Sequence, residues 1–132
     1  MTRIIFSALV YSVIVFPLAF TWHLVLFPEQ YETFGYFTGE PDVALGMLTI
    51  VIQGIVLSIV YPMFRPGQIG RKRAFLFAGL MGAFFWTSHV LALVAKQEVP
   101  QAATYILMET GYLGLQFGLF ALALALIYRR VN

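Results

Sequence analysis

Tyr105-Ile106-Leu107-Met108-Glu109-Thr110-Gly111-Tyr112-Leu113-Gly114-Leu115-Gln116-Phe117-Gly118-Leu119-Phe120-Ala121 is apolar enough to lie in hydrocarbon, yet it carries an acid. At 100° per residue, Tyr105, Glu109, Tyr112 and Gln116 fall within about a 60° arc of one helix face. Thr110, Gly114, Gly118 and Ala121 fall on the opposite face, where small side chains allow a neighbouring backbone to approach closely. The stretch therefore predicts a membrane-crossing helix with two working faces. A charged side chain at the bilayer centre costs a few kcal/mol on insertion scales, so Glu109 is a candidate functional group that needs buried partners.

The rest of the chain repeats the pattern. It has 132 residues, is 61% hydrophobic and 11% charged, and has a mean hydropathy of +0.85. A soluble domain carries roughly 25% charged residues. Four apolar stretches, 4–27, 43–64, 74–95 and 102–128, each exceed the ~20 residues needed to cross the hydrocarbon core. The expected fold is an all-α, antiparallel bundle of four transmembrane helices forming one integral membrane domain over residues 1–132. The loops at 28–42 and 65–73 are too short to bury a core of their own. The absence of cysteine excludes thiol-disulfide relays, thiolate metal sites and covalent haem attachment. The first apolar run is longer than a signal-peptide core and no A-x-A site follows it, so it reads as an uncleaved anchor.

Charge sets the expected orientation. Arg3, Arg65, Arg71, Lys72, Arg73, Arg129 and Arg130 fall at the N-terminus, second loop and C-terminus, and Lys96 alone falls on the other side. Retention of Lys and Arg inside predicts cytoplasmic termini in an inner membrane. The opposite side carries Glu29, Glu32, Glu40, Asp42 and Glu98. A net charge of +2 and a pI near 9.1 then describe a basic rim beside anionic lipid, and no nucleic-acid surface is expected. In the first outer loop, Pro28 to Phe37 mixes acids and aromatics as a short interfacial segment would, capping the bundle. Gly39-Glu40-Pro41-Asp42 ends that segment and starts the second span. Arg65-Pro66-Gly67-Gln68-Ile69-Gly70 reads as a tight turn that makes spans two and three neighbours.

A faint repeat links the first and third spans. Phe20-Thr21-Trp22-His23-Leu24-Val25-Leu26 is echoed by Phe85-Trp86-Thr87-Ser88-His89-Val90-Leu91, and Gln53 in the second span corresponds to Glu109 in the fourth. At 1.5 Å per residue from the outer ends, Glu109 and His89 lie roughly 10 Å deep, Gln53 roughly 15 Å and His23 about 6 Å. The expected intramembrane polar site is thus Glu109 with His89 and Gln53, flanked by Tyr105, Tyr112, Gln116 and His23. No catalytic residue is assigned.

Three readings of these residues differ in chemistry. Glu109 is either a proton- or cation-binding carboxyl tuned by His89, or a structural acid hydrogen-bonded to Tyr105, Tyr112, Gln53 or His89. His23 and His89 are either ligands of one haem b, or an interfacial residue beside Trp22 and a buried hydrogen-bonding group respectively. A divalent metal on His23, His89 and Glu109 lacks any tight motif spacing. The clustered Phe84-Phe85-Trp86 and the Phe16, Phe20 pair are either packing groups or walls of an apolar ligand pocket. Gly54 and Ser58 form a second, weaker small-residue pair.

At Trp22-His23-Leu24-Val25-Leu26-Phe27 with Phe34-Gly35, and again at Glu109-Thr110-Gly111-Tyr112, the chain resembles a family of small four-span bacterial membrane proteins of unknown function. The resemblance implies the architecture and a bacterial inner membrane, and transfers no site residue. The leading functional expectation is a non-enzymatic accessory or interaction subunit, meeting a membrane-protein partner or a second copy through the small-residue face of the fourth span. The alternatives are a small proton- or ion-coupled transporter using the Glu/His/Gln site, and an electron-transfer subunit holding haem b.

Overall fold

The computed structural model describes residues 1–66, 68 and 70–129, which form helices and turns with no strand among them. In chain order the helices are α1 (Thr2–Leu26), the short α2 (Pro28–Thr33), α3 (Val43–Met63), α4 (Arg71–Lys96) and α5 (Ala102–Ile127). All but α2 are long and apolar enough to cross a membrane, compatible with a four-helix bundle. The largest departure from the apolar stretches is at the start of α4, where Arg71, Lys72 and Arg73 are helical although charged. Gly67 and Ile69 of the expected turn, and Arg130 of the basic rim, lie outside the described residues.

Local chemistry accounts for the element ends. Pro28 opens α2, where a missing N–H costs nothing, and Gly35 at φ +65 turns the chain so that Tyr36 N–H donates to Tyr31 O at 3.1 Å. The start of α3 is capped by Asp42, whose Oδ1 accepts from Leu45 N–H at 2.9 Å. The end of α3, weakened by Pro62 in its last turn, is held by Arg73. That guanidinium donates to Tyr61 O at 2.7 Å, Pro62 O at 3.0 Å, Phe64 O at 2.8 Å and Gln68 O at 2.8 Å, and lies 4.6 Å from the Tyr61 ring centre. A residue expected only as a basic anchor is thus a buried clasp on orphan carbonyls.

Two of the long helices are not α-helical throughout. α1 passes into a π-helical turn at Thr21–Leu26, and α4 does so at Trp86–Leu91. Phe27 N–H reaches Trp22 O and Ala92 N–H reaches Thr87 O, five residues back in each case. These are the two heptapeptides that echo one another in the sequence, and each carries a histidine.

Close packing joins α1 to α3, α1 to α5 and α4 to α5. A Cβ on Gly54 would come within 2.9 Å of Tyr11 Cδ1 and 3.0 Å of Ala8 O, so this glycine sets the α1–α3 approach. Gly82 similarly admits the Phe117 ring between α4 and α5. Lipid chains are as apolar as leucine, so this close fit and the buried hydrogen bonds hold the helices together in a bilayer. α5 is the most buried of the four, while Val13, Met63, Phe84 and Leu107 point outward.

α3 and α4 pair at one end only. Arg73, with the Tyr61–Phe77 and Phe64–Phe77 ring contacts at 5.2 and 5.6 Å, pins them beside the connecting turn. Farther along they do not pack closely, and a cavity of about 490 Å³ opens between them. The tight turn predicts them as adjacent; the structure joins them beside the turn, and farther along Tyr112, Leu113 and Gln116 of α5 and Val15 and Ala19 of α1 floor the gap between them.

Candidate functional site: a carboxyl clasped by two histidines

Glu109 has no exposed surface, and four elements supply its surroundings. α5 presents the carboxyl. From the π turn of α1, His23 Nε2 meets Oε1 at 3.0 Å; from the π turn of α4, His89 Nε2 meets Oε2 at 3.2 Å. From α2, the Tyr31 hydroxyl donates to Oε1 at 2.5 Å. A π turn inserts one residue into the helix, swinging the side chains within it onto a new face, and such turns are concentrated at functional sites. Both turns converge on one acid through the histidines of the echoed heptapeptides.

Hydrogen-bond bookkeeping determines much of the protonation. His23 Nδ1 lies 2.9 Å from Ala19 O, which only accepts, so Nδ1 carries a hydrogen. Trp22 Nε1–H donates to the Tyr31 oxygen at 2.9 Å, and the Tyr31 hydrogen is then directed to Glu109. The contact between His23 Nε2 and Glu109 Oε1 consequently needs one further proton, on either atom. Neutral acid with neutral imidazole and carboxylate with imidazolium contain the same number of protons. The pair can pass this proton internally without changing its net charge.

His89 is the outward member. Its side chain is 43% exposed and borders the cavity, and its Nε2 lies 3.2 Å from both Glu109 Oε2 and the Tyr36 hydroxyl. His23, by contrast, is buried among rings, 4.5 Å from Tyr31 and 4.7 Å from Tyr112 between centres. The reading of His89 as a buried group is corrected: it is the more exposed of the two histidines. Burial, and secondarily the adjacent Glu109 carboxylate, push the hydroxyls of Tyr31 and Tyr36 above the ordinary tyrosine range.

The remaining polar residues divide into separate groups. Gln53 is away from Glu109: its Oε1 accepts from the Tyr11 hydroxyl at 3.2 Å, and Gln116 Nε2–H donates to the Tyr11 oxygen at 2.7 Å. Tyr105 is fully buried, and its hydroxyl has no hydrogen-bond partner among the described residues. Tyr112 packs edge-on against His23 without hydrogen-bonding Glu109. Tyr31, Tyr36 and Tyr11 are the contributors that the sequence reading missed. The aromatic outer loop is the signal for Tyr31 and Tyr36, but nothing in its spacing shows which tyrosine reaches inward; Tyr11, inside α1, carries no such signal.

On the opposite face of α5, Thr110 accepts from Trp86 Nε1–H at 2.9 Å and Ala121 is buried. Gly114 and Gly118 face open space in a shallow groove shared with Gly79 and Ala83 of α4. Half of the small-residue stripe is therefore occupied within the chain itself.

The donor set does not fit the cofactors considered. Bis-imidazole haem ligation needs both Nε2 atoms aimed at one iron across a porphyrin-wide slot. Here each addresses a different oxygen of a carboxyl lying between them. For the same reason the donors do not converge on a metal position, and no group of three His, Cys, Asp or Glu with suitable geometry occurs among the described residues. Comparisons with protein-family models, with characterised proteins and with solved structures give no match, so the resemblance carried by Trp22–Phe27 and Glu109–Tyr112 gains no support beyond those residues.

Proposed function

We propose that the chain is a small proton-coupled transporter of a bacterial inner membrane, with Glu109 as the proton-exchanging group and His23 and His89 as its partners. The observation carrying this reading is the double-histidine clasp on a fully buried acid beside a cavity. Buried titratable groups in a membrane mark proton and ion pathways, and His89 links the buried cluster to the cavity. An antiparallel bundle with cytoplasmic termini accompanies the proposal. Its support is the order of contacts between α1 and α5, from Arg3 with Tyr128 through Tyr11 with Gln116 to His23 with Glu109, together with the partition of Lys and Arg.

Proton flux into proteoliposomes is the test. Wild-type flux should exceed that of empty vesicles and vary across pH 5–8, where histidine exchanges protons. Glu109→Gln should abolish the difference; flux unchanged by this substitution removes Glu109 from the pathway. A second reading, an accessory subunit docking through α5, draws on the open Gly114 and Gly118. It expects a stoichiometric partner in mild detergent that is lost on Gly118→Leu, and a lone monomer throughout counts against it.

A further inference from the structure

The cavity between α3 and α4 has a chemistry distinct from that of the carboxyl behind it. Its volume of about 490 Å³ falls within the roughly 300–1,000 Å³ typical of small-molecule sites. Polar atoms without a protein partner face it from two levels. Tyr11 occupies Gln53 Oε1 and one hydrogen of Gln116 Nε2, leaving the Gln53 amide hydrogens and Gln116 Oε1 unengaged among the described residues. His89 uses Nε2 toward Glu109 and Tyr36, and its Nδ1 meets no other described group. Polar atoms left unpaired in hydrocarbon cost several kcal/mol each, so the cavity calls for an occupant that bonds at both levels.

The remaining lining narrows the occupant. Among the described residues no Lys or Arg borders the cavity. Asp42 does, but its carboxylate is committed to the N-terminus of α3, while Glu109 is screened by the two imidazoles. Anions find no counter-charge there, and cations find none that is free. Phe16, Phe20, Phe37 and Phe85 offer flat apolar walls that suit a ring. Because α3 and α4 meet only at their turn end, such a molecule can enter sideways from the bilayer.

The two polar levels narrow the occupant further. Glu109, beside His89, and Gln116 are two helical turns apart on α5, about 10 Å along its axis. A flat ring bearing an oxygen at each end offers a hydrogen-bonding group to both levels at once. We propose that the cavity is a binding site for an uncharged para-dioxygenated ring of the quinone and quinol class, with its alkyl tail passing between α3 and α4 into lipid. A quinol hydroxyl donates to His89 Nδ1 and the opposite oxygen meets the Gln53 and Gln116 amides; a quinone accepts from the same imidazole or amide hydrogens. The proposal concerns binding alone and is independent of proton flux through Glu109.

Binding is measured with the full chain in lipid nanodiscs, using decyl-benzoquinone and its quinol as probes and decanol, decanoic acid and decylammonium as controls. The expected result is saturable, one-to-one binding of the ring compounds above the partition into empty nanodiscs, with the controls failing to compete. His89→Ala and Gln116→Ala should each weaken it about tenfold, as loss of one buried hydrogen bond would. Ile50→Trp, which fills the cavity away from the Glu109 cluster, should abolish binding while the thermal midpoint stays within a few degrees of wild type. Non-saturable uptake, equal competition by decanol or decanoic acid, or undiminished binding in a folded Ile50→Trp protein each overturns the proposal. Glu109-dependent flux without ring binding would leave the proton pathway standing and remove this site, whereas ring binding without flux would do the reverse.

Discussion

Tyr31 connects the outer loop to the buried acid, accepting from Trp22 and donating to Glu109. Its hydroxyl is held above its ordinary value of 10.0, first by burial and then by the carboxylate. Released from the fold it loses its proton near pH 10, while in the folded state it keeps that proton to higher pH. Between those limits the folded state binds more protons, so stability falls as pH rises. The stabilisation is fully present below about pH 10 and declines above it; Tyr36 acts in the same direction. Alkaline titration should therefore shift the fluorescence of Trp22 as α2 undocks, with Trp86→Phe as background. Tyr31→Phe should lessen that shift, and an identical alkaline transition in the mutant would mean that Tyr31 does not control docking. At this scale the sequence marked Glu109, His23 and His89 as chemically unusual, but did not show that His89 is the exposed member of the cluster. Counting at a constant rise and rotation fails across a π turn, and both histidines sit in one.

Among the elements, the ends of α3 are the most exposed to test. Arg73 satisfies carbonyls left without a helical partner at the end of α3. Arg73→Ala should cost roughly 2–4 kcal/mol, because several buried acceptors lose a charged donor at once. Lysine should recover only part of this, having no planar fork to reach four oxygens. Thermal unfolding in detergent or nanodiscs measures both, and an unaltered midpoint for the alanine variant would dismiss the clasp. Gly54→Val should be worse than Gly46→Val, since added atoms at Gly54 meet Tyr11 and the Ala8 carbonyl while Gly46 faces open space. A difference of about 1–3 kcal/mol is expected, and equal midpoints would remove Gly54 as the α1–α3 contact. The small-residue stripe of α5 shows the limit of helical periodicity: it identifies a face able to accept a neighbour, but not whether that neighbour is α4 or another molecule.

For the whole molecule, orientation is the first property to establish, and a chain with no cysteine makes it accessible to single-cysteine labelling. In intact cells a membrane-impermeant maleimide should label Glu98→Cys directly, and Lys72→Cys only after permeabilisation. The reverse pattern would invert the topology and put the cavity mouth nearer the cytoplasmic side. The positions of the four long helices were legible because hydrophobic length is a local, additive property of the chain, and their ends needed only caps and prolines to adjust them.

What the sequence determined by itself was the set of four apolar helices, the segregation of basic residues to alternate loops, and the need for Glu109 to find polar company away from lipid. These follow from the cost of putting charge and unpaired backbone into hydrocarbon, a cost each segment bears individually. Tertiary structure decided which company. It brought His23 and His89 to opposite oxygens of one carboxyl, sent Tyr31 inward from the loop, gave Gln53 to Tyr11, and left α3 and α4 joined at only one end. Those outcomes depend on two π turns, one glycine contact and one arginine clasp acting together, and no single helix contains the information to choose among them.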